Sequence, residues 1–140
     1  MSQTISLQVS TNLNELAKVL IWFEQLAHDT VPKDDWLKCK TALAEVFTNA
    51  VRHAHKNLPM ETPIDLESTL SENRLEIKVF DFGAGFDLSG KLSSLNEVDI
   101  NALGGRGLGL IDRMVDVFDY SRLSDGRNCL RLVKHYAPVN

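Results

Sequence analysis

The chain has 140 residues, 44% of them hydrophobic, which suits one compact domain with a single core and leaves no room for an added receptor or transducer domain. Its formal net charge of −4 provides no general positive field for a phosphate backbone, which argues against direct nucleic-acid binding. Because no apolar run approaches the length of a membrane span and the first residues show no leader pattern, we expect a soluble cytoplasmic protein.

Hydrophobic periodicity predicts strands and helices along the whole chain, in one domain spanning residues 1–140. In chain order the pattern predicts a strand over 6–10, a helix over 12–28, a helix from Pro32 to about residue 55, strands over 64–70 and 75–80, a short helix over 108–117 and strands over 118–123 and 129–136. Residues 89–103 follow no regular pattern, are polar, and are long for a structureless connection, so we expect a functional loop there.

The second predicted helix separates an apolar stripe from a polar ridge. At about 100° per residue, the stripe that faces the core carries Trp36, Cys39, Leu43, Val46, Phe47, Ala50 and Ala54. Glu45, Asn49 and His53 lie four residues apart on a different side, so packing does not require them. A carboxylate one turn from an amide supplies a proton acceptor and a neutral oxygen ligand, which suits a hard cation beside a nucleophile. A merely solvated helix face is the alternative.

The nearby histidines do not form a metal pair. His53 and His55 are two residues apart and point to different sides of a helix, so they cannot share an ion. We expect His53 to order the region of Asn49 by hydrogen bonding. Cys39 and Cys129 have neither metal-ligand spacing nor a neighbouring histidine, and are expected to be reduced, structural thiols.

The run DFGAGF directly follows the strand predicted over residues 75–80. Asp81 has the parity of the inward-facing residues of that strand, so its carboxylate is predicted to be buried and to need hydrogen-bond donors. The amino group of a bound adenine is one such donor, and Gly83 and Gly85, just before Phe86, let the backbone come close. The alternative is an ordinary turn in which Asp81 acts as a cap.

A second glycine-rich run, LGGRGLGL, occupies residues 103–110 at the start of an amphipathic helix. Backbone amides at a helix start attract phosphate, glycines remove obstructing side chains, and Arg106 adds a positive charge. A dinucleotide-binding fingerprint would follow a strand at once, whereas here a long polar segment intervenes. A flexible glycine hinge is the remaining alternative.

Taken together, EVFTNAVRHA, DFGAGF and GGRGLGLIDRMVD resemble, in the right order, the N box and the two glycine boxes of the GHKL ATPase superfamily. They are most similar to the motifs of the anti-sigma-factor serine kinases, in which ExxxNAxxHA and DxGxGFD recur. The resemblance covers nearly the whole chain, and three ordered motifs are more specific than any one.

This resemblance implies a fold, a cofactor set and roles for particular residues. The fold is an α/β (α+β) two-layer sandwich of the Bergerat type, with helices on one face of a mixed, mostly antiparallel sheet. By resemblance, Asn49 holds the Mg²⁺ that bridges the phosphates of ATP, Asp81 recognises the adenine amino group, and Glu45 is the general base. The ATP lid covers about residues 88–107. The implied ATP-binding set is Asn49, His53, Asp81, Gly83, Gly85, Phe86, Gly104, Gly105, Arg106, Gly107, Leu108 and Gly109.

The resemblance also implies an activity and partners. The leading hypothesis is a serine kinase, in homodimeric form, that phosphorylates a STAS-type anti-anti-sigma factor and binds a sigma factor in an alternative complex. A non-catalytic module whose nucleotide state controls partner choice is the second hypothesis, although the presence of Glu45 and Asn49 argues against it. A sensor histidine kinase is disfavoured because no phospho-acceptor helix hairpin precedes the motifs. Arg106 departs from relatives that carry a small or apolar residue there.

Overall fold

The computed structural model describes residues 2–85 and 106–139. The strands are β1 (Gln3–Ser10), β2 (Pro63–Leu70), β3 (Arg74–Asp81), β4 (Val117–Arg122) and β5 (Asn128–His135), and the helices are α1 (Leu16–Phe23), α2 (Lys33–Asn49) and α3 (Arg106–Met114). A 3₁₀ turn, Leu13–Glu15, precedes α1, and a π-helical turn, Ala50–Ala54, extends α2. The order of elements is the one predicted.

The five strands form one sheet in the order β1-β2-β3-β5-β4, and each of these pairings is antiparallel. Burial alternates strictly along β2 and β3, so one face of each strand is turned to the core and the other to solvent. The helices cover the core face, where their apolar side chains join those of the strands in one cluster. The predicted two-layer α+β sandwich is therefore confirmed.

Helix α2 crosses the centre of the core layer. Asp34 and Asp35 place negative charge in its first turn, and Pro32 precedes it with an extended backbone. The predicted stripe is buried through Ala50, while Ala54 is only half-buried. Near its start, Trp36 stacks on Phe23 with 4.5 Å between ring centroids, which packs α1 against α2.

Helix α1 is shorter than the predicted span of residues 12–28. At its start, the side chain of Asn12 accepts a hydrogen bond from the amide of Asn14 at 2.9 Å, which closes a 3₁₀ turn instead of an α-helical one. Beyond its end, the amide of Ala27 donates to the side-chain oxygen of Gln3 at 2.8 Å. The Ala27 amide is therefore hydrogen-bonded to β1 and does not donate to a helical carbonyl, as it would in a longer α1.

The π-helical turn changes which side of the helix the later residues occupy. The amide of His55 donates to the carbonyl of Ala50 at 2.9 Å, a spacing of five residues instead of four. The 100° periodicity therefore fails after Ala50, and the ridge of Glu45 and Asn49 does not continue regularly to His53. His53 is exposed, whereas His55 is 1% exposed.

The outer face of the sheet is polar. The carboxylate of Glu76 lies 3.2 Å from an Arg74 nitrogen, 3.5 Å from Arg131 Nε and 3.8 Å from Lys78 Nζ. Phe80, on the same face, is covered by the guanidinium of Arg127, 4.6 Å from the ring centroid. These charges keep the solvent side of the strands from presenting a bare apolar surface.

Candidate nucleotide site

The carboxylate of Asp81, at the end of β3, is 3% exposed, which confirms its predicted burial. Its Oδ1 accepts from the amide of Gly83 at 2.8 Å and from Asn128 Nδ2 at 2.9 Å. The hydroxyl of Tyr120 donates to Oδ2 at 3.1 Å, with Oδ1 at 3.3 Å. These donors offset the cost of burying a carboxylate, and within the described part of the chain Oδ2 is the less occupied oxygen. Asp81 is thus held in place and retains acceptor capacity.

Two of these donors were not among the residues singled out from the sequence. Asn128 is the first residue of β5, is 1% exposed, and lies opposite Asp81 in the register of β3 and β5. Its Nδ2 also donates to the carbonyl of Gly83 at 2.9 Å, which ties the turn to the sheet. Burial and the neighbouring Asp81 raise the pKa of Tyr120, so the phenol keeps the proton that it donates. The strand register alone carries the signal that would identify both residues.

Gly83 sits where the turn after β3 meets the end of the helix. A Cβ placed on Gly83 would lie 2.6 Å from the carbonyl oxygen of Ala54. Because that oxygen belongs to the backbone of the π-helical turn, neither side can give way easily. The close approach explains the glycine that the sequence places here.

We expect Gly83→Ala to destabilise the fold by about 1–3 kcal/mol, the usual cost of overpacking. Urea unfolding measures the loss. Gly126→Ala is the control, since a Cβ there meets no described atom within 4 Å and the change costs only the strain of its φ of +90°, about 1 kcal/mol. An alanine at 83 that leaves the unfolding midpoint unchanged would contradict the assigned contact.

Arg122 fixes the next part of the same turn. Its Nη2 donates to the carbonyl of Ala84 at 2.7 Å and its Nη1 to the carbonyl of Gly126 at 3.0 Å. Gly85 follows with a φ of +84°, a conformation that favours glycine, and a Cβ there would lie 3.2 Å from Asn128 Oδ1. The DxGxG turn is therefore held from the β4–β5 hairpin on one side and from the α2 end on the other.

His55 provides the attachment on the helix side. The amide of Phe82 donates to His55 Nε2 at 2.8 Å, and His55 Nδ1 lies 2.8 Å from the hydroxyl of Thr11. The Thr11 hydroxyl donates to the carbonyl of Thr62 at 2.7 Å. Burial lowers the pKa of His55, with the charge of Asp81 opposing the shift. These hydrogen bonds attach His55 to the DxGxG turn and not to Asn49, so the role expected of His53 near Asn49 stays a prediction.

Glu45 and Asn49 lie half-buried on α2. The Nδ2 atom of Asn49 is buried and has no hydrogen-bond partner among the residues that the structure describes. A buried, unpaired amide is costly, so a ligand that completes its hydrogen bonding would be stabilised here. A phosphate oxygen for the nitrogen and a hard cation for the amide oxygen fit this donor set, and thus ATP with Mg²⁺ fits the residues present.

The glycine-rich run is described only in part. Helix α3 begins at Arg106, so Gly107 and Gly109 lie in its first turns, and the helix packs on α2 with Ile111 fully buried. Its start is two residues earlier than predicted. Phe86, Gly104, Gly105 and lid residues 88–105 lie outside the described residues, as do the side chains of Arg106 and Leu108.

The two cysteines have no chemistry at this site. Both are free and buried, as expected for structural thiols, and burial raises the pKa of Cys39 to about 12 and that of Cys129 in the same direction.

Across residues 2–85 and 106–139, no helix combines the length and the apolarity that a membrane span requires.

The buried Asp81, the glycine turn after β3 and Asn49, whose Nδ2 has no partner among the described residues, together fit a class of ATP-binding domain. The histidine kinase-like ATPase domain family matches residues 9–134, and the chain belongs to that family.

Among individual proteins, the chain is similar to serine-protein kinases. It is 34% identical to the serine-protein kinase RsbW of Listeria monocytogenes over 83 residues, 55% of this chain and 52% of that protein. It is 36% identical over 89 residues to the RsbW proteins of Bacillus licheniformis and Staphylococcus epidermidis, 59% of this chain and 55% and 56% of those proteins. The chain thus spans about half the length of the curated relatives it matches.

Proposed function

We propose that the chain is an ATP- and Mg²⁺-dependent serine kinase that phosphorylates a STAS-type anti-anti-sigma factor and binds a sigma factor in an alternative complex. The observation that carries the nucleotide part is the hydrogen bonding of the buried Asp81 carboxylate. Among the described residues, Oδ1 accepts from Gly83 and Asn128, whereas Oδ2 accepts from Tyr120 and keeps capacity for a further donor. The similarity to serine-protein kinases supports the kinase part. The resemblance described above supports the partners, a homodimer and a cytoplasmic location.

In this proposal each motif has a separate task. Asp81 accepts a hydrogen bond from the adenine amino group, and the fixed turn of Gly83 and Gly85 lets the backbone approach the base. Asn49 holds the metal through its amide oxygen, and its buried nitrogen gains a phosphate acceptor. Bound Mg²⁺ supplies neutralisation of the phosphate charge. His53 and the amides of Gly104 to Gly109, with Arg106 and Leu108, contribute to the ATP-binding set.

Glu45 is assigned the proton transfer. It lies one helical turn before Asn49 on α2, so the two side chains are neighbours on the helix surface. As the γ-phosphoryl group moves to the incoming serine hydroxyl, Glu45 takes the hydroxyl proton, the O–Pγ bond to ADP breaks and the new serine O–P bond forms.

The proposal is tested with γ-labelled ATP, Mg²⁺ and the STAS-domain proteins of the same cell, followed by a search for phosphoserine. We expect label on one STAS protein with the parent chain and labelling about 10²–10⁴-fold slower with Glu45→Ala. If calorimetry shows nucleotide binding but no candidate acquires label, the chain is a nucleotide-dependent binding module instead. If adenine nucleotides show no binding at millimolar concentration, the assigned site itself is wrong.

A further inference from the structure

The imidazole of His55 is the one buried histidine ring among the described residues, and the proposed chemistry does not use it. It joins three segments that are distant in sequence: Thr11 follows β1, Thr62 precedes β2, and Phe82 follows β3. A ring that served only to fill space would not need a partner on both nitrogens. Its position, directly behind the turn that holds Asp81, points to a role in that turn.

The hydrogen bonds around His55 determine which ring nitrogen carries the proton. Because the amide of Phe82 is a donor, His55 Nε2 must be the unprotonated nitrogen. Nδ1 then carries the proton and donates to the Thr11 hydroxyl, whose own proton goes to the carbonyl of Thr62. Every group in this chain of hydrogen bonds is satisfied when the ring is neutral, so the buried network is complete.

The backbone of Phe82 is the part of the turn that needs an outside partner. Its side chain is 44% exposed, so side-chain packing does little to hold the residue. The residues on either side are Asp81 and Gly83, which are joined by the hydrogen bond from the Gly83 amide to Asp81 Oδ1. The orientation of the peptide unit between Asp81 and Phe82 therefore depends on the acceptor that His55 presents.

We infer that His55 is a positioning residue for nucleotide recognition. By accepting the hydrogen bond of the Phe82 amide, it holds the DxGxG turn in the conformation in which Asp81 binds the purine. This inference rests on the proposed function, since it assigns a role in binding the same adenine. His55 itself touches no reacting group, and its effect passes through the backbone of Phe82.

Two amide variants separate the hydrogen bonds of the two ring nitrogens. In His55→Gln, the amide oxygen reaches toward the Nε2 position and accepts from the Phe82 amide, while the bond to Thr11 is lost. In His55→Asn, the shorter amide reaches the Nδ1 side and donates to Thr11, while the Phe82 amide loses its acceptor. Each variant loses one of two hydrogen bonds, so the two are expected to lose similar stability.

We expect Mg·ATP titrated by calorimetry to bind His55→Gln within about threefold of the parent and His55→Asn about 10-fold more weakly, a loss on the scale of one buried hydrogen bond. Thermal unfolding without nucleotide reports stability. Equal affinities of the two variants at equal stability would reduce His55 to a structural role and overturn the inference. Absence of binding by the parent would instead overturn the proposed function.

A second measurement does not depend on nucleotide or on the variants folding. The nitrogen chemical shifts of the His55 ring in the unliganded parent are expected to show a protonated Nδ1 and an unprotonated Nε2 at pH 7.5. A ring protonated on Nε2 could not accept from Phe82, and the inference would then be wrong even if both variants failed to fold.

The same contact predicts a dependence on pH. Burial lowers the pKa of His55 below its usual 6.5, against the opposing charge of Asp81, the charged group acting on the ring within the described residues. As the pH falls, His55 therefore takes up a proton in the unfolded chain at a higher pH than in the folded one. The stability due to neutral His55 is fully present above about pH 6.5 and is lost as the pH falls toward the lowered pKa. Urea unfolding from pH 7.5 to 5.5 should show a shallower loss in His55→Gln than in the parent; parallel curves would contradict this prediction.

Discussion

Asn49→Ala is expected to abolish Mg·ATP binding, with the dissociation constant rising by at least about 100-fold. Loss of an outer-shell partner of a metal weakens binding by about 10- to 100-fold, and Asn49 is proposed as a direct ligand, so its loss should cost at least as much. The proposed metal loses its fixed side-chain oxygen, and the phosphates lose the Asn49 nitrogen. Isothermal titration with Mg²⁺ and ATP measures the loss. The same titration without Mg²⁺ should distinguish the variant from the parent far less, because the metal contact is then missing from both.

Asn49→Ala is expected to lose nucleotide binding without losing stability. Asn49 Nδ2 is buried and unpaired among the described residues, so removing it removes a desolvation cost, and alanine is the better helix former. The unliganded variant should therefore be at least as stable as the parent while it fails to bind. Asn57→Ala, at an exposed position just after the same helix, is the matched control and should keep both properties. Normal binding by Asn49→Ala would remove the metal assignment.

Glu45→Ala is expected to bind Mg·ATP like the parent and to transfer phosphate about 10²–10⁴-fold more slowly, the range for loss of a general base. The carboxylate is assigned to the proton of the incoming serine and not to the nucleotide, so the affinity should remain. Single-turnover transfer at saturating ATP measures the chemical step, with Glu45→Gln as the isosteric variant that also lacks a base.

Glu61→Ala, which removes an exposed carboxylate from the loop before β2, is the control for a general effect of charge. It should transfer phosphate at the parental rate. If Glu45→Ala and Glu61→Ala cannot be distinguished in transfer, then Glu45 is not the base. If Glu45→Ala loses nucleotide binding as well, the carboxylate belongs to the binding site and a different proton acceptor is needed.

Part of the site follows from local sequence pattern. The alternation through β3 was sufficient to predict that Asp81 points inward, because side-chain direction in a strand has a period of two whatever the strand pairs with. The apolar stripe of α2 was equally predictable through Ala50, since helical periodicity depends only on neighbours within a few residues. The order of three motifs, in turn, was enough to indicate the family.

Other parts depend on contacts that no local pattern contains. Tyr120 and Asn128 became donors to Asp81 only because β5 pairs with β3 in one register and β4 with β5 in another. His55 entered the core because a five-residue hydrogen bond to Ala50 rotated the end of the helix. The sequence by itself determined which face of β2, of β3 and of α2 through Ala50 is buried, because that depends on periodicity. The tertiary structure decided which distant polar groups meet at Asp81, because the register of strands and one irregular turn are set by the packing of the whole sheet and helix layer.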